Sequence, residues 1–237
     1  MSEIALVTGA DRGLGRAITE QLLERGWTVL AGQVLDWPEL AELQARFGDR
    51  LHVLPLDVGS DASVLAAASS AAQLVGRVDM VVNNAGINRS AHIDSVRDNL
   101  SFDDMQAEHN INAVGPMRVT RAFLPLMAGS DRKLLCFVSS EAGSIEASRR
   151  TGWFGYCMSK AAVNMAVKNL YNDLSCEGFR FRLFQPGWMK TYMRGTRNDE
   201  AALEPEESAR RALSYFLEEP EPPTLALHTW DGEDMPW

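Results

Sequence analysis

Tyr156 and Lys160 are the two side chains of this sequence whose types and spacing most directly suggest chemistry. They stand four residues apart at the start of a long predicted helix, and that spacing places two side chains side by side on one helix face. A phenol, whose pKa is ordinarily about 10, exchanges protons poorly at neutral pH, and a nearby ammonium group lowers that pKa. The pair therefore predicts a proton donor and acceptor that works near neutral pH, although two ordinary helix residues would show the same spacing.

The composition indicates a globular protein with a full core and excludes several kinds of partner. The chain has 237 residues, 46% of them hydrophobic, and a net charge of −9. Nucleic acids and anionic membranes reward basic patches, so neither is predicted as a partner. The first residues form a strand-like run rather than a signal peptide, and no apolar run reaches membrane-spanning length. We expect one cytoplasmic domain over residues 1–237.

The three cysteines suggest neither a disulfide framework nor a metal site. Cys136, Cys157 and Cys176 are odd in number and lack the spacing of metal ligands. Such cysteines are typical of free thiols in a reducing compartment. No metal is predicted.

A glycine-rich turn follows the first predicted strand. The apolar run 4–8 leads into Thr8-Gly9-Ala10-Asp11-Arg12-Gly13-Leu14-Gly15, and a helical pattern continues to residue 25. Glycines here permit a tight turn and let backbone N–H groups approach a pyrophosphate, which would face the positive end of the helix dipole. The order of strand, glycine turn and helix favours dinucleotide binding over a plain turn.

The end of the second predicted strand, 27–33, bears on the choice of cofactor. An acidic residue at this point binds the ribose 2′-hydroxyl of NAD, whereas the 2′-phosphate of NADP requires a nearby arginine. The sequence has neutral Gln33 here, and Arg12 of the glycine turn could reach a 2′-phosphate. Asp36 follows, but we interpret Asp36-Trp37-Pro38-Glu39 as a capping box for the next helix. These residues favour NADP(H) over NAD(H).

Polar residues also follow the third and fourth predicted strands, 51–57 and 78–83. Asp57 could accept a hydrogen bond from an adenine amino group, or it could initiate a turn. Asn83-Asn84-Ala85-Gly86 suits a turn and equally suits a loop that lies against a cofactor.

The long helical stretch 101–127 contains Pro116. Proline has no N–H to donate to the carbonyl four residues earlier, which belongs to Asn112. The sequence predicts a kink that leaves this carbonyl free to hold a water molecule, although packing alone could also explain a kink.

Ser139 and Ser140 end the fifth predicted strand, 133–139, at the edge where ligands of open parallel sheets bind. The loop 144–152 then carries Arg149 and Arg150, which could grip an anionic substrate, but a solvated loop is the favoured interpretation. Beyond the sixth strand, 179–184, the remaining predicted elements are a mobile lid over 196–207, a helix over 207–218, a strand over 224–228 and a tail.

In combination these motifs resemble those of the short-chain dehydrogenase/reductase family, in its single-domain form, over nearly the full chain. The matching segments are the glycine turn from Thr8 to Gly15, Asn83-Asn84-Ala85-Gly86, Asn112, Ser140, Tyr156 with Lys160, and Pro186-Gly187 with Thr191. The tail resembles that of C-factor-like and carbonyl-reductase-like members. We predict a Rossmann-like α/β fold, a doubly wound parallel sheet of seven strands in the order 3-2-1-4-5-6-7 with helices on both faces.

The resemblance implies a role for each matching residue. Tyr156 would be the general acid in carbonyl reduction and the base in the reverse direction, with Lys160 lowering its pKa and holding the nicotinamide ribose. Ser140 would hydrogen-bond the substrate oxygen, and Asn112 would hold a water in a proton relay to Lys160. Besides Tyr156 and Lys160, the implied cofactor-binding residues are Gly9, Arg12, Gly13, Leu14, Gly15, Gln33, Asp57, Val58, Asn84, Ala85, Gly86, Pro186, Gly187 and Thr191.

Two features depart from the family pattern. The interval from Ser140 to Tyr156 is a few residues longer than in most members, with the extra residues around 147–151, and this leaves Ser139 as a rival for the serine role. Gln33 stands where NAD-preferring members tend to have aspartate, which keeps the cofactor choice open.

We therefore expect an NAD(P)-dependent oxidoreductase that transfers hydride reversibly between the nicotinamide and a small carbonyl or alcohol substrate, as a homodimer or homotetramer formed through the long helices 101–127 and 152–176. A catalytically silent nucleotide-sensing or signalling protein is the alternative. A dehydratase or epimerase is less favoured, because such relatives carry a longer substrate domain. Side chains that could wall an apolar substrate pocket are Trp153, Phe154, Trp188, Met189, Tyr192 and Met193.

Overall fold

The centre of the molecule is a sheet of short, apolar and mostly parallel strands. The computed structural model describes residues 2–193, 195–218 and 225–237. The strands are hydrogen-bonded in the order β3-β2-β1-β4-β5-β6-β7-β8, and all pairings are parallel except that of β7 with β8. Their bounds are β1 Ile4–Val7, β2 Thr28–Gln33, β3 Leu51–Pro55, β4 Met80–Asn83, β5 Leu134–Val138, β6 Arg180–Gln185, β7 Leu227–Thr229 and β8 Asp234–Met235.

Helices cover both faces of this sheet because successive strand residues point to opposite sides. Ala5 and Val7 of β1 lie in one apolar cluster with side chains of α1, α2 and α7, whereas Leu6 lies in a second cluster with side chains of α3, α5 and α6. The bounds are α1 Gly13–Glu24, α2 Pro38–Phe47, α3 Asp61–Leu74, α4 Phe102–His109, α5 Gly115–Met127, α6 Phe154–Leu174 and α7 Pro205–Leu217. The predicted doubly wound α/β fold is confirmed. Among the described residues, no helix is both long and apolar enough to cross a membrane.

The predicted order of seven strands is confirmed, but the number seven is wrong. An eighth strand, β8, forms in the segment predicted as a tail and turns back antiparallel on β7. The hairpin is closed by Thr229, whose N–H donates to Glu233 O at 2.8 Å. Two residues are too few to show an alternating pattern, so β8 could not be predicted from the sequence. Residue 224, where the last strand was predicted to begin, lies outside the described residues.

The stretch predicted as one kinked helix over 101–127 is divided into α4, a single π-helical turn at Asn110–Val114, and α5. Gly115 N–H donates to Asn110 O, five residues earlier rather than four. The predicted distortion before Pro116 is confirmed, and its form is a widened turn. Such turns occur frequently at functional sites, and this one contains Asn112.

The interpretation of Asp36 as the first residue of a capping box is wrong. Helix α2 begins at Pro38, so its cap position falls to Trp37, whose side chain makes no capping hydrogen bond. Asp36 therefore lies one residue too early to cap the helix. By contrast, Ser60 caps α3 by accepting a hydrogen bond from Ser63 N–H at 3.3 Å. The start of α7 also differs from its prediction, because this helix begins at Pro205, within the segment 196–207 that was predicted as a mobile lid.

Candidate active site

The glycine turn between β1 and α1 has the backbone geometry that its sequence predicts. Gly9 and Gly13 have positive φ angles of 62° and 56°, in the left-handed region that favours glycine. A Cβ on Gly15 would lie 2.0 Å from Gly9 O, so the first turn of α1 packs directly against the turn that precedes it. Only glycine fits there, because a side chain would force two backbone segments apart.

Asn84, after β4, fixes this glycine turn from the neighbouring strand. Its side-chain Nδ2 donates to Thr8 O at 2.9 Å and to Gly9 O at 3.1 Å. In return, Thr8 Oγ1 accepts the backbone N–H groups of Asn84 and Ala85, each at 3.0 Å. The two strand ends are thereby held at a fixed separation, and Ala85 lies against Gly9.

The start of α1 suits an anionic group. No side chain caps this helix and no acidic residue lies in its first turn, whereas Ser60 and Ser101 cap α3 and α4. The orphan N–H groups of a helix start bind phosphate well. Thr191, which follows β6, lies across the turn, since a Cβ on Gly13 would be 3.4 Å from its Cγ2. These residues fit the pyrophosphate of a dinucleotide.

The residues predicted to meet the adenosine end lie beside this turn at the ends of β2 and β3. Arg12 stacks its guanidinium 5.1 Å from the centroid of the Trp37 ring. Gln33 donates from Nε2 to Leu35 O at 2.6 Å. Asp57 Oδ1 accepts Gly59 N–H at 2.8 Å, which is the turn-initiating arrangement. Val58 is buried, and it packs against Gly115 of α5.

Asn112 connects the π-helical turn to the loop after β4 and to α6. Its side chain is 1% exposed, and its Oδ1 accepts Ile87 N–H at 2.8 Å. Its Nδ2 donates to Ile87 O at 2.8 Å and to Ser159 Oγ at 3.0 Å. A Cβ on Gly86 would lie 3.3 Å from Asn112 Oδ1 and 3.7 Å from Lys160 Nζ, so the three groups surround one small space.

Tyr156 and Lys160 are both buried on the inner face of α6. Lys160 Nζ donates to Val138 O at 3.0 Å and lies 5.7 Å from the centroid of the Tyr156 ring. Burial lowers the pKa of Lys160 to about 8. Burial also raises the pKa of Tyr156, although a hydrogen bond with the Ser140 hydroxyl lowers that pKa in part. In the free protein, therefore, burial outweighs the lowering of the Tyr156 pKa that the Tyr-Lys spacing predicted.

Ser140, rather than its rival Ser139, is the serine beside Tyr156. Ser139 Oγ donates its proton to Asn164 Oδ1 of α6 at 2.6 Å, so this hydroxyl already has a partner. Ser140 Oγ accepts Ala142 N–H at 3.1 Å and donates to Glu141 Oε2 at 2.7 Å. The longer loop after Ser140 leaves this arrangement intact.

Two side chains near Ser140 were not assigned to the site from the sequence. Glu141 accepts the Ser140 hydroxyl and forms an ion pair with Arg150. Arg150 also stacks 4.1 Å from the centroid of the Trp153 ring. Arg149, by contrast, donates to the main-chain carbonyls of residues 146 and 148. Both arginines lie in an exposed loop, as the favoured interpretation has it, and Arg150 in addition pairs with Glu141.

The segment between β4 and α4 supplies a cleft that no motif indicated. A cavity of about 530 Å³ is lined by Asn88, Arg89, Ala91, His92, Asp104 and Met193. Glu108 of α4 is fully buried and orders this segment, because its carboxylate accepts the N–H groups of Arg89 and Ser90. Of the lining residues only Met193 was predicted to face substrate. Four of the others lie within 88–92, a stretch without periodicity, and Asp104 lies on α4, so only the fold brings them together.

The other predicted pocket residues divide between the site and the surface. Trp153, at the start of α6, has a positive φ of 57° and packs its ring edge-on against Tyr156 at 6.1 Å. Tyr192 packs against Trp37 at 5.5 Å, and Trp188 is 56% exposed. Pro186 O accepts the Ser208 hydroxyl, and Gly187 has a φ of +80°. In the described part of the chain, no three His, Cys, Asp or Glu side chains are grouped to hold a metal ion.

Fold and site together define a dinucleotide-binding α/β protein with a serine, a tyrosine and a lysine at the carboxyl ends of its strands. The family model described as short chain dehydrogenase matches residues 3–202, and the chain belongs to this family of oxidoreductases. The C-signal protein of Myxococcus xanthus is 35% identical over 162 residues, which cover 68% of this chain and 94% of that protein.

Solved structures extend the similarity to nearly the whole chain. An NADPH-bound carbonyl reductase from chicken fatty liver is 28% identical with a TM-score of 0.87, and the match covers 100% of this chain and 94% of that one. A short-chain dehydrogenase/reductase from Burkholderia multivorans with bound NADP is 27% identical with a TM-score of 0.84, over 100% of both chains.

Proposed function

We propose that this protein reduces a small carbonyl compound with a nicotinamide cofactor, and oxidises the corresponding alcohol in reverse. The observation that carries the proposal is the grouping of three buried side chains: the Ser140 hydroxyl acts on Tyr156 by hydrogen bonding, and Lys160 Nζ lies 5.7 Å from the centroid of the Tyr156 ring. When bound, the reduced cofactor supplies a hydride, and with it two electrons, to the carbonyl carbon. The proton that completes the alcohol comes from the Tyr156 hydroxyl.

In this mechanism each residue of the site holds or moves a proton at a defined atom. Ser140 and Tyr156 would bind the substrate oxygen, where negative charge develops during reduction. Lys160, whose pKa of about 8 lies near neutral pH, would return a proton toward Tyr156. Asn112 would hold a relay water near Lys160 with its main-chain carbonyl, since its side chain already binds Ile87 and Ser159.

We propose NADP(H) as the preferred cofactor. Arg12, within the glycine turn, stacks on Trp37, and Thr191 lies against Gly13 of the same turn. Arg12 offers a guanidinium at the edge of the adenosine end, and Gln33 offers no carboxylate to bind a ribose 2′-hydroxyl. The similar carbonyl reductase from chicken fatty liver binds NADPH, and the similar Burkholderia multivorans protein binds NADP, which supports this choice.

We also propose a homodimer or homotetramer, formed through the helices that frame the site. Four large apolar side chains of α4, α5 and α6 are exposed: Phe102, Met117, Met158 and Met165. Contiguous exposed apolar surface is typical of interfaces. A cytoplasmic location remains our expectation, because the three cysteines are free thiols.

The test is a titration with NADPH and NADH, followed by a panel of aldehydes and ketones with the tighter cofactor. Tyr156→Phe should lower kcat by about a hundredfold or more, because the phenyl ring has no proton to donate. Its cofactor affinity should stay within about twofold. Tyr171→Phe, on the same helix but packed against Phe181, is the matched control and should keep full activity. Unchanged turnover by Tyr156→Phe would refute the assignment.

The second candidate is a nucleotide-binding signalling protein without catalysis. It is favoured by one observation, the similarity to a protein named C-signal. Such a protein would bind NADPH or NADH and oxidise neither with any carbonyl compound of the panel. The presence of all three of Ser140, Tyr156 and Lys160 supports the enzyme instead.

A further inference from the structure

Ser140 faces two competing acceptors with a single proton. In the free protein its hydroxyl donates to Glu141 Oε2 at 2.7 Å, while its oxygen already accepts Ala142 N–H. A hydroxyl has only one hydrogen to donate. A substrate oxygen that enters between Ser140 and Tyr156 must therefore take this proton away from the Glu141 carboxylate.

Glu141 is held as a carboxylate at this position. Burial alone would raise the pKa of Glu141, but the hydrogen bonds from Ser140 and Arg150 outweigh burial and hold that pKa below its usual value. Its negative charge disfavours both a phenolate on Tyr156 and an oxyanion on the substrate. An unbalanced Glu141 would therefore oppose the reaction proposed above.

Arg150 balances this charge and contacts the other side of the site. Its guanidinium forms an ion pair with Glu141 and lies 4.1 Å from the centroid of the Trp153 ring. Trp153 in turn packs its ring edge-on against Tyr156. Arg150 and Glu141 side chains are 36% and 40% exposed, so solvent screens their mutual attraction and the pair contributes little to folding stability.

We infer that Glu141 and Arg150 act as one positioning unit, the Glu141–Arg150 pair, in which Arg150 neutralises a carboxylate that would otherwise withhold the Ser140 proton and oppose ionisation of Tyr156. The unit rests on the proposed carbonyl reduction. It also explains how the long loop after Ser140 serves the site, since this loop supplies Arg150. The charged or titratable groups that face Tyr156 are Glu141, Arg150, Cys157 and Lys160.

The test compares four variants in steady-state carbonyl reduction across pH: Arg150→Met, Glu141→Gln, the double variant, and Arg149→Met as the matched control. The readout is the alkaline pH at which kcat/KM falls, which reports the apparent pKa of the general acid. Arg150→Met should move this fall to higher pH by about half a unit to one unit, and should lower kcat/KM about tenfold. Glu141→Gln should move the fall in the opposite direction.

In the double variant, kcat/KM should fall at an alkaline pH within about 0.3 units of that of the unmodified enzyme, because both charges are gone. Added salt should shrink the displacement in Arg150→Met, since the pair is partly exposed.

Single variants that shift the fall in the same direction, or not at all, would overturn the inference. An equal effect of Arg149→Met would also overturn it, because that arginine contacts no carboxylate of the site. If the unmodified enzyme turned over no carbonyl compound, the proposed function would fall and the pair with it. Normal turnover with unshifted pH profiles would contradict only the role of the Glu141–Arg150 pair and would leave the proposed function unaffected.

Discussion

Lys160→Met should make the protein more stable while removing its activity. Lys160 is 4% exposed, and its amine donates a hydrogen bond to Val138 O at 3.0 Å. Burial without an opposing carboxylate penalises the charged form, which is why the pKa of Lys160 falls to about 8. Methionine has a similar length and no charge to bury.

The magnitude follows from the pKa. An unperturbed lysine has a pKa of about 10.4, so the difference is about 2.5 pH units, worth about 3 kcal/mol. Below about pH 8 the amine is charged in both folded and unfolded states, and the folded state bears this full cost. Between about pH 8 and pH 10.4 only the unfolded state keeps the proton, so the stability of the lysine protein rises with pH.

The assay is urea unfolding followed by tryptophan fluorescence at several pH values. At about pH 7 Lys160→Met should be more stable by up to about 3 kcal/mol, and at about pH 9.5 by only about 1.4 kcal/mol. Lys168→Met removes an exposed amine from the same helix and should change stability by less than about 0.5 kcal/mol. A stability difference that does not change between these pH values would refute the reasoning, because it would mean that Lys160 is buried without an electrostatic cost.

Three further perturbations test other parts of the structure. Gly15→Ala would place a Cβ 2.0 Å from Gly9 O, so cofactor affinity should fall at least about tenfold and stability by about 1–3 kcal/mol. The control is Gly76→Ala, where nothing lies within 4 Å of the added Cβ. An equal loss of cofactor affinity in both variants would contradict the role of the glycine turn in cofactor binding. Arg12→Ser should weaken NADPH binding about tenfold and leave NADH binding within about twofold by fluorescence titration; an equal loss for both cofactors would contradict a phosphate contact. Burial alone would raise the pKa of Asp79, but hydrogen bonds from Arg77, Ser130 and the Ile4 N–H outweigh burial and lower that pKa. Asp79→Asn should therefore lower the free energy of unfolding in urea by about 2–4 kcal/mol at neutral pH. That cost should shrink as pH falls below about 4, where the unfolded carboxyl gains its proton first; a cost independent of acid pH would contradict it.

Local spacing was enough to predict the parts of the site that depend on one backbone segment. The glycine turn follows from Gly9, Gly13 and Gly15, since their spacing determines which backbone angles and approaches are allowed. Pro116 predicts a distorted helix because it removes one particular hydrogen bond. Right-handed crossovers between parallel strands account for the helices on both faces of the sheet, whereas the order of the seven strands was implied by the family resemblance.

The features that the sequence did not predict depend on contacts between distant segments. Glu141 and Arg150 are nine residues apart in an irregular loop, and only the folded backbone brings their charges together. The burial of Tyr156 and Lys160 is also a tertiary property, so the spacing could not show that burial raises the pKa of Tyr156 and lowers that of Lys160. Asp36 was misplaced by one residue because Pro38 fixes where α2 begins.

The most direct test of the central claim uses NADPH that carries deuterium at both C4 positions, and follows the label to the product. With a carbonyl substrate from the panel, the unmodified protein should yield an alcohol that carries one deuterium on the former carbonyl carbon, as read by mass spectrometry. Tyr156→Phe should bind the labelled cofactor and yield no labelled alcohol. Unlabelled alcohol from the unmodified protein, or equal labelling by Tyr156→Phe, would contradict hydride transfer assisted by Tyr156.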